Sequence, residues 1–300
     1  MSRQELKPAQ GLPYEIKTKS RTNRRVQIEQ KIAWAVLWAS AFLTLGILFV
    51  VIGHILAQGL PFINLEFLLT EPADMGREGG IYSTIVTTIY VTALALIIAT
   101  PIGVGSAIYL IEYTRENILT KVIRFGTETL AGIPSIIFGL FGFAFFVIYL
   151  NLQWSLISGA LTVAFMVLPV IIRTSEEALK TVPQSYREGS LALGATKWQT
   201  ISKIILPSAM PGIITGIILS IGRIIGETAA FLLTLGGALY IPQTLLDPGR
   251  TMSMHLYTLA AEIGAMDKAY ATSTVLIVTI FIINSVASLI TKQFLKKFSG

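Results

Sequence analysis

Cysteine is absent from this 300-residue sequence, and histidine occurs only twice, at His54 and His255. Disulfides and thiolate metal sites are therefore excluded, and two distant histidines predict no histidine metal cluster. Charged residues are also scarce: they make up 13% of the chain, whereas a soluble domain typically carries about a quarter. With 53% apolar residues and a mean hydropathy of +0.69, the composition predicts a membrane protein.

Six long apolar runs come close to the roughly 20 residues that a helix needs to cross a bilayer. They predict an all-α protein with spans at about residues 32–57, 81–111, 133–150, 155–172, 210–235 and 271–291. Pro101 is expected to kink the second span without ending it, and residues 151–154 to form a tight hairpin between the third and fourth spans. The first run exceeds the roughly 7 to 15 apolar residues of a signal peptide and lacks a clear cleavage site, which favours a retained span. Residues 1–31 are predicted to be a basic N-terminal tail, and residues 32–300 a six-span domain.

Lysine and arginine are distributed unevenly between the two sides that six spans define. The tail, the 112–132 connection, the 173–207 segment and the C-terminus carry 19 of the 23 basic residues, and the opposite side carries 3. Because the cytoplasmic loops of membrane proteins are enriched in basic residues, both termini and the 173–207 segment are predicted to be cytoplasmic. The same distribution explains the net charge of +6 without nucleic acid as a partner.

The charged 173–207 segment is long for a connection between spans, and loops of that length are usually functional or disordered. Alanine, leucine and glutamate are frequent in it, and Gly194 and Pro207 stand where helices are expected to turn or end. It therefore predicts an ordered docking element for a soluble partner. Residues 189–196 imitate a phosphate-binding loop, but Ala195 replaces the required lysine and no strand precedes it, so no nucleotide site is predicted.

The fifth predicted span contains the only strongly ionisable residues within the six spans, Arg223 and Glu227. Counted from Met210, Arg223 lies roughly 20 Å into the helix, where an arginine costs at least ~2.5–3.5 kcal/mol. Glu227 follows four residues later, on the same face of a continuous helix. The pair is predicted to be a charged station on a polar substrate pathway. The plainer interpretation is an intrahelical ion pair that neutralises itself and has no role in transport.

Two glycine pairs in the same span have the spacing that lets membrane helices approach closely, Gly212 with Gly216 and Gly222 with Gly226. This spacing is frequent by chance in glycine-rich membrane helices. Helix packing is therefore the predicted role of both pairs.

One motif of the 173–207 segment resembles the EAA loop of ABC-transporter permeases. Its spacing matches through glycine, isoleucine, leucine and proline, while Gly189 and Ser190 replace the two usual alanines and keep these positions small. The resemblance implies the type I ABC importer permease (MetI-like) fold, with a short cytoplasmic coupling helix seated in a separate ATPase subunit. The implied ATPase-coupling residues are Glu188, Gly189, Ser190, Gly194, Ile204, Leu206 and Pro207.

Further stretches resemble the phosphate-specific permeases of the PstA type. They are residues 131–141, 173–183 and 223–228, and residues 79–81 and 100–103 fit the same pattern. The resemblance covers about residues 79–292, the core of the permease domain, and implies import of inorganic phosphate across a prokaryotic cytoplasmic membrane by alternating access. Arg223, Glu227 and Thr228 are the implied substrate-pathway residues. Arg223 would attract the anion, and Glu227 would either orient Arg223 or accept a proton-bearing oxygen of hydrogenphosphate.

The resemblance also implies the partners. They are a homologous second permease of the PstC type, two ATPase subunits of the PstB type and an extracytoplasmic phosphate-binding protein of the PstS type. The chain itself is expected to be non-catalytic and to bind no metal or cofactor, since ATP and magnesium are held by the partner ATPase. The 58–80 and 236–270 loops are expected to face the binding protein, and the spans the lipid bilayer.

Three other functions stay open at this point. A permease for another oxyanion, such as molybdate or sulfate, would differ mainly in its binding protein. A proton-coupled secondary transporter would use Arg223 and Glu227 as a relay, but leaves the 173–207 segment unexplained. A membrane scaffold or assembly factor predicts that mutation of the charged pair leaves transport intact.

Overall fold

The structure, a computed structural model, describes residues 24–115 and 117–298, and most of them are helical. The chain divides into two units, Met1–Gly53 and His54–Gly300. The described part of the first unit belongs to helix α1 (Arg24–Gly59), in which Trp34, Trp38 and Phe42 stack one turn apart. Residues 24–31 of the predicted tail are therefore helical, and the rest of that tail lies outside the described residues.

The second unit is built from helices joined by short connections. They are α2 (Leu65–Leu69), α3 (Tyr82–Ile108), α4 (Ile118–Ala131), α5 (Ser135–Gly142), α6 (Leu156–Thr181), α7 (Gln184–Ala192), α8 (Lys197–Thr200), α9 (Leu206–Ile225), α10 (Ala229–Thr234), α11 (Met252–Tyr257) and α12 (Met266–Phe298). Wider π-helical turns extend α3, α5, α8 and α11 over Tyr109–Tyr113, Phe143–Tyr149, Ile201–Ile205 and Thr258–Ile263. Two 3₁₀ turns occupy Leu60–Phe62 and Asp74–Gly76.

A small antiparallel β-hairpin precedes α3, a feature that the all-α prediction did not include. It pairs β1 (Pro72–Ala73) with β2 (Glu78–Gly79). Gly79 has a positive φ of 70°, and the carbonyl of Glu71 lies where its Cβ would stand, so the hairpin closes on a glycine.

Five helices of the described chain are long and apolar enough to cross a membrane: Val26–Phe62, Tyr82–Tyr113, Leu156–Lys180, Lys197–Ile225 and Met266–Leu289. The predicted third span differs from these. Helix α4 and the helical segment Ser135–Tyr149 meet at an angle of 102°, so a sixth crossing exists only if this bent pair is one span. Pro134 explains the bend, because it lacks an N–H and excludes the preceding residue from helical geometry.

Prolines elsewhere do not end the spans. Pro101 lies inside α3 and Pro169 inside α6, and both helices continue past them. This confirms the prediction that Pro101 interrupts the second span without ending it. The polar hairpin predicted between the third and fourth spans is also present, because Asn151 and Gln153 adopt positive φ values of 53° and 55° there.

Helix α6 lies at the centre of the second unit. Its side chains Val163, Met166, Val167 and Ile171 have no exposed surface and pack in a cluster shared with α3, α5 and α10. Helix α3 approaches closely because of its small residues: a Cβ at Gly103 would lie only 2.6 Å from Cγ2 of Ile171. Since lipid is as apolar as these side chains, van der Waals packing rather than the hydrophobic effect holds the helices together.

The two glycine pairs of the fifth span have different surroundings. A Cβ at Gly212 would lie 2.6 Å from Cβ of Ala178, and one at Gly216 would overlap the side chain of Thr174, so this pair packs against α6 as predicted. A Cβ at Gly222 would meet nothing within 4 Å, and one at Gly226 would meet only the Gly222 carbonyl, at 3.5 Å. Within the described part of the chain, the packing prediction is therefore wrong for the second pair.

These contacts predict opposite results for two matched substitutions. Gly216→Ala should force α9 away from α6 at Thr174, and overpacking of this kind costs typically ~1–3 kcal/mol. Gly222→Ala adds the same methyl group in open space and serves as the control. The thermal midpoint of the detergent-solubilised protein should fall for Gly216→Ala and stay within error for Gly222→Ala. Equal midpoints would contradict the packing assignment.

Candidate functional site

The fifth predicted span is interrupted at the depth of its charged residues. Helix α9 ends at Ile225 and α10 begins at Ala229, so Gly226, Glu227 and Thr228 form a break that the sequence analysis did not predict. In a membrane, non-helical backbone is tolerated only where protein covers it or where it lines a water-filled cavity. Broken helices of this kind form the binding sites of many transporters. Gly226 is exposed, so the break reaches the surface of the chain.

Glu227 stabilises this break. Its side chain is buried, and Oε1 accepts a hydrogen bond of 3.0 Å from the backbone N–H of Ala230. Its carbonyl oxygen accepts a second bond from the hydroxyl of Ser253. The carboxylate therefore satisfies one of the N–H groups that the first turn of α10 leaves without a helical partner. Thr228, the residue before α10, is half-buried and its side chain makes no capping bond.

Arg223 occupies the last turn of α9, where a positive charge is favoured by the helix dipole. It is half-buried, and among the described residues it has neither an ion-pair nor a hydrogen-bond partner. The prediction that Arg223 and Glu227 share one helical face is wrong, because the helix ends between them. No ion pair joins these two described residues, so the self-neutralising interpretation is wrong as well. Arg223 is left with its donors available to an anion.

One face of α9 is exposed along its whole length. Ser208, Thr215, Leu219 and Gly226 follow one another at spacings of seven, four and seven residues, which is one side of a helix. Arg223 lies one turn after Leu219 at the edge of this face, while Ile224 and Ile225 are buried on the opposite side. The arginine therefore borders the open face of α9.

The 173–207 segment is helical over most of its length. Helix α6 continues to Thr181, α7 follows, and a turn at Gly194 with a φ of 83° leads into α8, which confirms the turn expected there. Pro207 does not end a helix, because the helical stretch Lys197–Ile225 passes through it. The wider turns of Ile201–Ile205 directly precede this proline, and such local adjustments accommodate its missing N–H.

The predicted coupling residues are divided between surface and interior. Glu188, Gly189 and Gly194 are exposed, whereas Ser190 is buried with its hydroxyl oxygen 2.9 Å from that of Thr200. Ile204, Leu206 and Pro207 are partly buried at the start of the long helix. The sequence analysis missed the exposed apolar residues that we call the coupling surface: Tyr186, Leu191, Leu193 and Trp198. Large apolar residues within a charged segment were the available signal, because an exposed cluster of them marks an interaction site.

Helix α11 packs near the start of α3, away from the end of α3 that the 173–207 segment contacts, and it contains a buried histidine. His255 is 1% exposed, and its Nδ1 has no hydrogen-bond partner among the described residues. Burial and, to a smaller extent, the nearby positive charge of Arg250 together lower its pKa to about 4. The histidine is therefore neutral at pH 7. The described residues contain no group of three or more side chains that could hold a metal ion.

A bundle of membrane-crossing helices with a broken span beside an unpaired arginine, and with a folded helical element at one end, defines the transmembrane subunit of a transporter. Residues 99–300 match the family described as the binding-protein-dependent transport system inner membrane component, and the chain belongs to this family. It is thus a multi-pass permease subunit of an ABC transporter, as the EAA motif indicated.

Individual relatives agree with this membership. The chain is 30% identical to the probable ABC transporter permease protein YqgI of Bacillus subtilis, covering 91% of this chain and 99% of that one. It is 34% identical to the phosphate transport system permease protein PstA of Xylella fastidiosa, covering 76% and 80% respectively. A bacterial ABC transporter involved in import of the polysaccharide alginate shares the fold, with a TM-score of 0.63, 18% identity, and coverage of 90% and 99%. The predicted importer-permease fold is confirmed.

The buried histidine predicts a dependence of stability on pH. The folded protein disfavours protonated His255, so between about pH 6.5 and 4 the unfolded chain binds the proton more readily. Stability should fall as the pH drops through this window, by up to about 3 kcal/mol if the full shift acts. We expect the thermal midpoint to decrease from pH 7 to pH 5, and less steeply in His255→Gln.

Substitution of the exposed His54 by Gln provides the control. The dependence of its thermal midpoint on pH should follow that of the wild type. A His255→Gln profile as steep as the wild type would show that another group causes the acid sensitivity.

Proposed function

We propose that this chain is the permease subunit of an ATP-driven importer of inorganic phosphate. The carrying observation is the broken fifth span, where the segment 223–228 places a free guanidinium beside an open helix face. A planar arginine with available donors suits a phosphate oxyanion. The same substrate is supported by several relatives that are named phosphate transport system permease proteins. They are 33–34% identical to this chain over more than three quarters of its length.

In this proposal Arg223 and Glu227 have separate tasks. Arg223 contacts the anion as it passes the break, whereas Glu227 positions that break by capping α10. The hydrogen bond from Ala230 to Glu227, and the lack of an ion pair with Arg223, favour this division over a direct orienting role for Glu227. Thr228 lies at the break and completes the substrate-pathway residues.

The coupling element supplies the second part of the proposal. The coupling surface and the exposed Glu188, Gly189 and Gly194 form the seat for an ATPase subunit on the cytoplasmic side. From there the continuous helix Lys197–Ile225 leads directly to Arg223 and the break. A displacement of the seat can thus reach the pathway through one helix. The family description itself requires a binding protein; PstC-, PstB- and PstS-type subunits are the partners that we propose, with ATP and magnesium held by the ATPase.

A permease for sulfate or molybdate is the alternative that the same geometry allows, because a guanidinium binds any of these oxyanions. The secondary-transporter alternative is weakened, because it needs a proton relay between Arg223 and Glu227, and no hydrogen bond or ion pair joins these two described residues. Uptake of labelled phosphate, with sulfate and molybdate as competitors, separates the oxyanions in the assembled transporter.

Substitutions at the break test the substrate pathway. Arg223→Ala should lower phosphate uptake roughly 10- to 100-fold, as loss of one charge-assisted contact implies. Arg223→Lys keeps the charge but not the fork of donors and should fall in between. Glu227→Gln keeps an oxygen that can cap α10, so its uptake should stay near normal, whereas Glu227→Ala should lose it.

Uptake is measured in liposomes that contain the complete complex, with complex yield as the control for assembly. Near-normal uptake by both alanine variants would return Arg223 and Glu227 to a purely structural role. A strong loss in Glu227→Gln would instead require the carboxylate charge in transport.

The turn at Gly194 tests the coupling element. A Cβ there would meet no other atom, but its φ of 83° is strained for any residue with a side chain. Gly194→Val should therefore tilt α7 against α8, and a strain of ~1 kcal/mol or more should reduce phosphate uptake per ATP hydrolysed at least about fivefold.

Gly126→Ala is the control, because Gly126 lies within α4, outside the proposed seat, and a Cβ there also meets open space. It should leave coupling unchanged. Retention of the ATPase subunit with normal transport in Gly194→Val would show that this turn does not set the geometry of coupling.

A further inference from the structure

An ion pair at the end of α3 holds the coupling helix α7. Arg187 of α7 donates to Oε1 of Glu112 from both Nε and Nη2, at 3.1 and 2.8 Å. Glu112 belongs to the π-helical segment Tyr109–Tyr113 that continues α3. The two side chains are only 15% and 8% exposed, unlike the surface pair Lys180–Glu177, at 45% and 66%. Burial to this extent leaves few water partners for either charge and favours a single geometry of the pair.

The same guanidinium also ties α7 to the end of α6. Nη1 donates to the carbonyl of Val182 at 2.7 Å, and Nη2 donates to the carbonyl of Leu179 at 3.0 Å. Val182 is the residue that follows α6, and the Leu179 carbonyl lies in the last turn of that helix, where it also accepts a longer bond of 3.4 Å from the N–H of Val182. One side chain therefore joins three elements: α7, α6 and the end of α3.

A cavity lies next to this junction. Its volume is about 340 Å³, and its lining includes Ile111, Glu112, Arg187, Leu191 and Lys197. Beside it, Nζ of Lys197 stands 4.8 Å from the ring centroid of Tyr113, which links the start of α8 to the same end of α3. Where side chains do not fill the space between α3 and α7, a small movement of α7 is absorbed unless a rigid polar contact transmits it.

We propose that Arg187 and Glu112 are positioning residues for coupling, which transmit the displacement of α7 to α3 and α6. This rests on the proposed function of α7 as the ATPase seat. It adds a second route to the direct one from α8 into α9. Because α3 and α6 share the central apolar cluster, a push on their ends reaches the helices around α9 as one body.

The test uses the complete transporter in liposomes, and the readout is phosphate taken up per ATP hydrolysed. Arg187→Gln should reduce this ratio at least roughly tenfold while the ATPase remains bound. Arg187→Lys, which keeps the charge and one donor direction, should restore part of the ratio. The double variant E112Q/R187Q leaves no unpaired buried charge, and it should fold normally yet stay uncoupled.

A covalent link separates transmission from simple stabilisation. The natural chain contains no cysteine, so E112C/R187C can be joined by a short bismaleimide linker. The linked variant should regain coupling that the unlinked one lacks. Wild-type transporter treated with the same reagent reports any effect on partner subunits. Lys180→Gln removes the exposed ion pair of the same region and should keep the wild-type ratio.

Wild-type coupling in Arg187→Gln and E112Q/R187Q would overturn the proposal, as would a lower melting temperature with an unchanged ratio. A linked variant that stays uncoupled would do the same. If wild-type liposomes take up no phosphate, the proposed substrate fails, but the ion pair is still tested. Stimulation of ATP hydrolysis by the loaded binding protein should then be lost in Arg187→Gln and kept in Lys180→Gln.

Discussion

The rest of this structure depends on one constraint: every backbone polar group inside an apolar bundle needs a partner from the protein itself. The long helices meet this constraint internally. Their serine and threonine hydroxyls also donate hydrogen bonds to backbone carbonyls one turn earlier, as those of Thr88, Thr162 and Thr234 do. Where a helix is broken, another group has to supply the bond. Glu227 caps α10 at the break, and the indole N–H of Trp154 donates to the carbonyl of Leu233 near the far end of α10. The break therefore survives because particular side chains satisfy it.

The same constraint gives the two charged regions different characters. At the break, the Glu227 carboxylate accepts a backbone hydrogen bond, whereas Arg223 has no hydrogen-bond or ion-pair partner among the described residues, so its donors are open to a ligand. In the 173–207 segment, Arg187 donates to Glu112 and to the carbonyls of Val182 and Leu179, so its guanidinium holds α7, α3 and the end of α6 together. Arginine donors without a protein partner suit a binding role, whereas an arginine whose donors all reach protein acceptors has a structural role. The helix Lys197–Ile225 connects the two regions, which is what an ATP-driven permease requires mechanically.

The sequence predicted membrane spans well because each long apolar run has one stable solution in lipid, a helix. It also predicted the turn at Gly194 and the hairpin at 151–154, where residue chemistry is local. Prediction from the sequence failed where packing against neighbouring helices determines the local structure. The third span expected at 133–150 is present as the helical segment Ser135–Tyr149. An additional helix, α4, precedes it within the expected connection and meets it at 102° beside Pro134, whereas Pro101, Pro169 and Pro207 left their helices intact. Proline removes one hydrogen bond in every case, and only the surrounding helices determine whether the chain can repair it or has to turn. The open space beside Gly222 and the burial of His255 were missed for the same reason.

Composition and hydropathy by themselves determined a helical membrane protein with Arg223 and Glu227 inside its fifth predicted span, and the spacing of the EAA motif added the resemblance to ABC permeases. These follow from the solubility of side chains in lipid and from short-range spacing, which a single chain displays directly. Only the tertiary structure decided that Arg223 and Glu227 do not pair, that Glu227 supports a helix break, and that Arg187 joins α7 to α3 and α6. Such facts depend on which distant carbonyl, hydroxyl or carboxylate reaches a given group. Glu112 and Arg187 are 75 positions apart, and the sequence between them carries no sign that they meet.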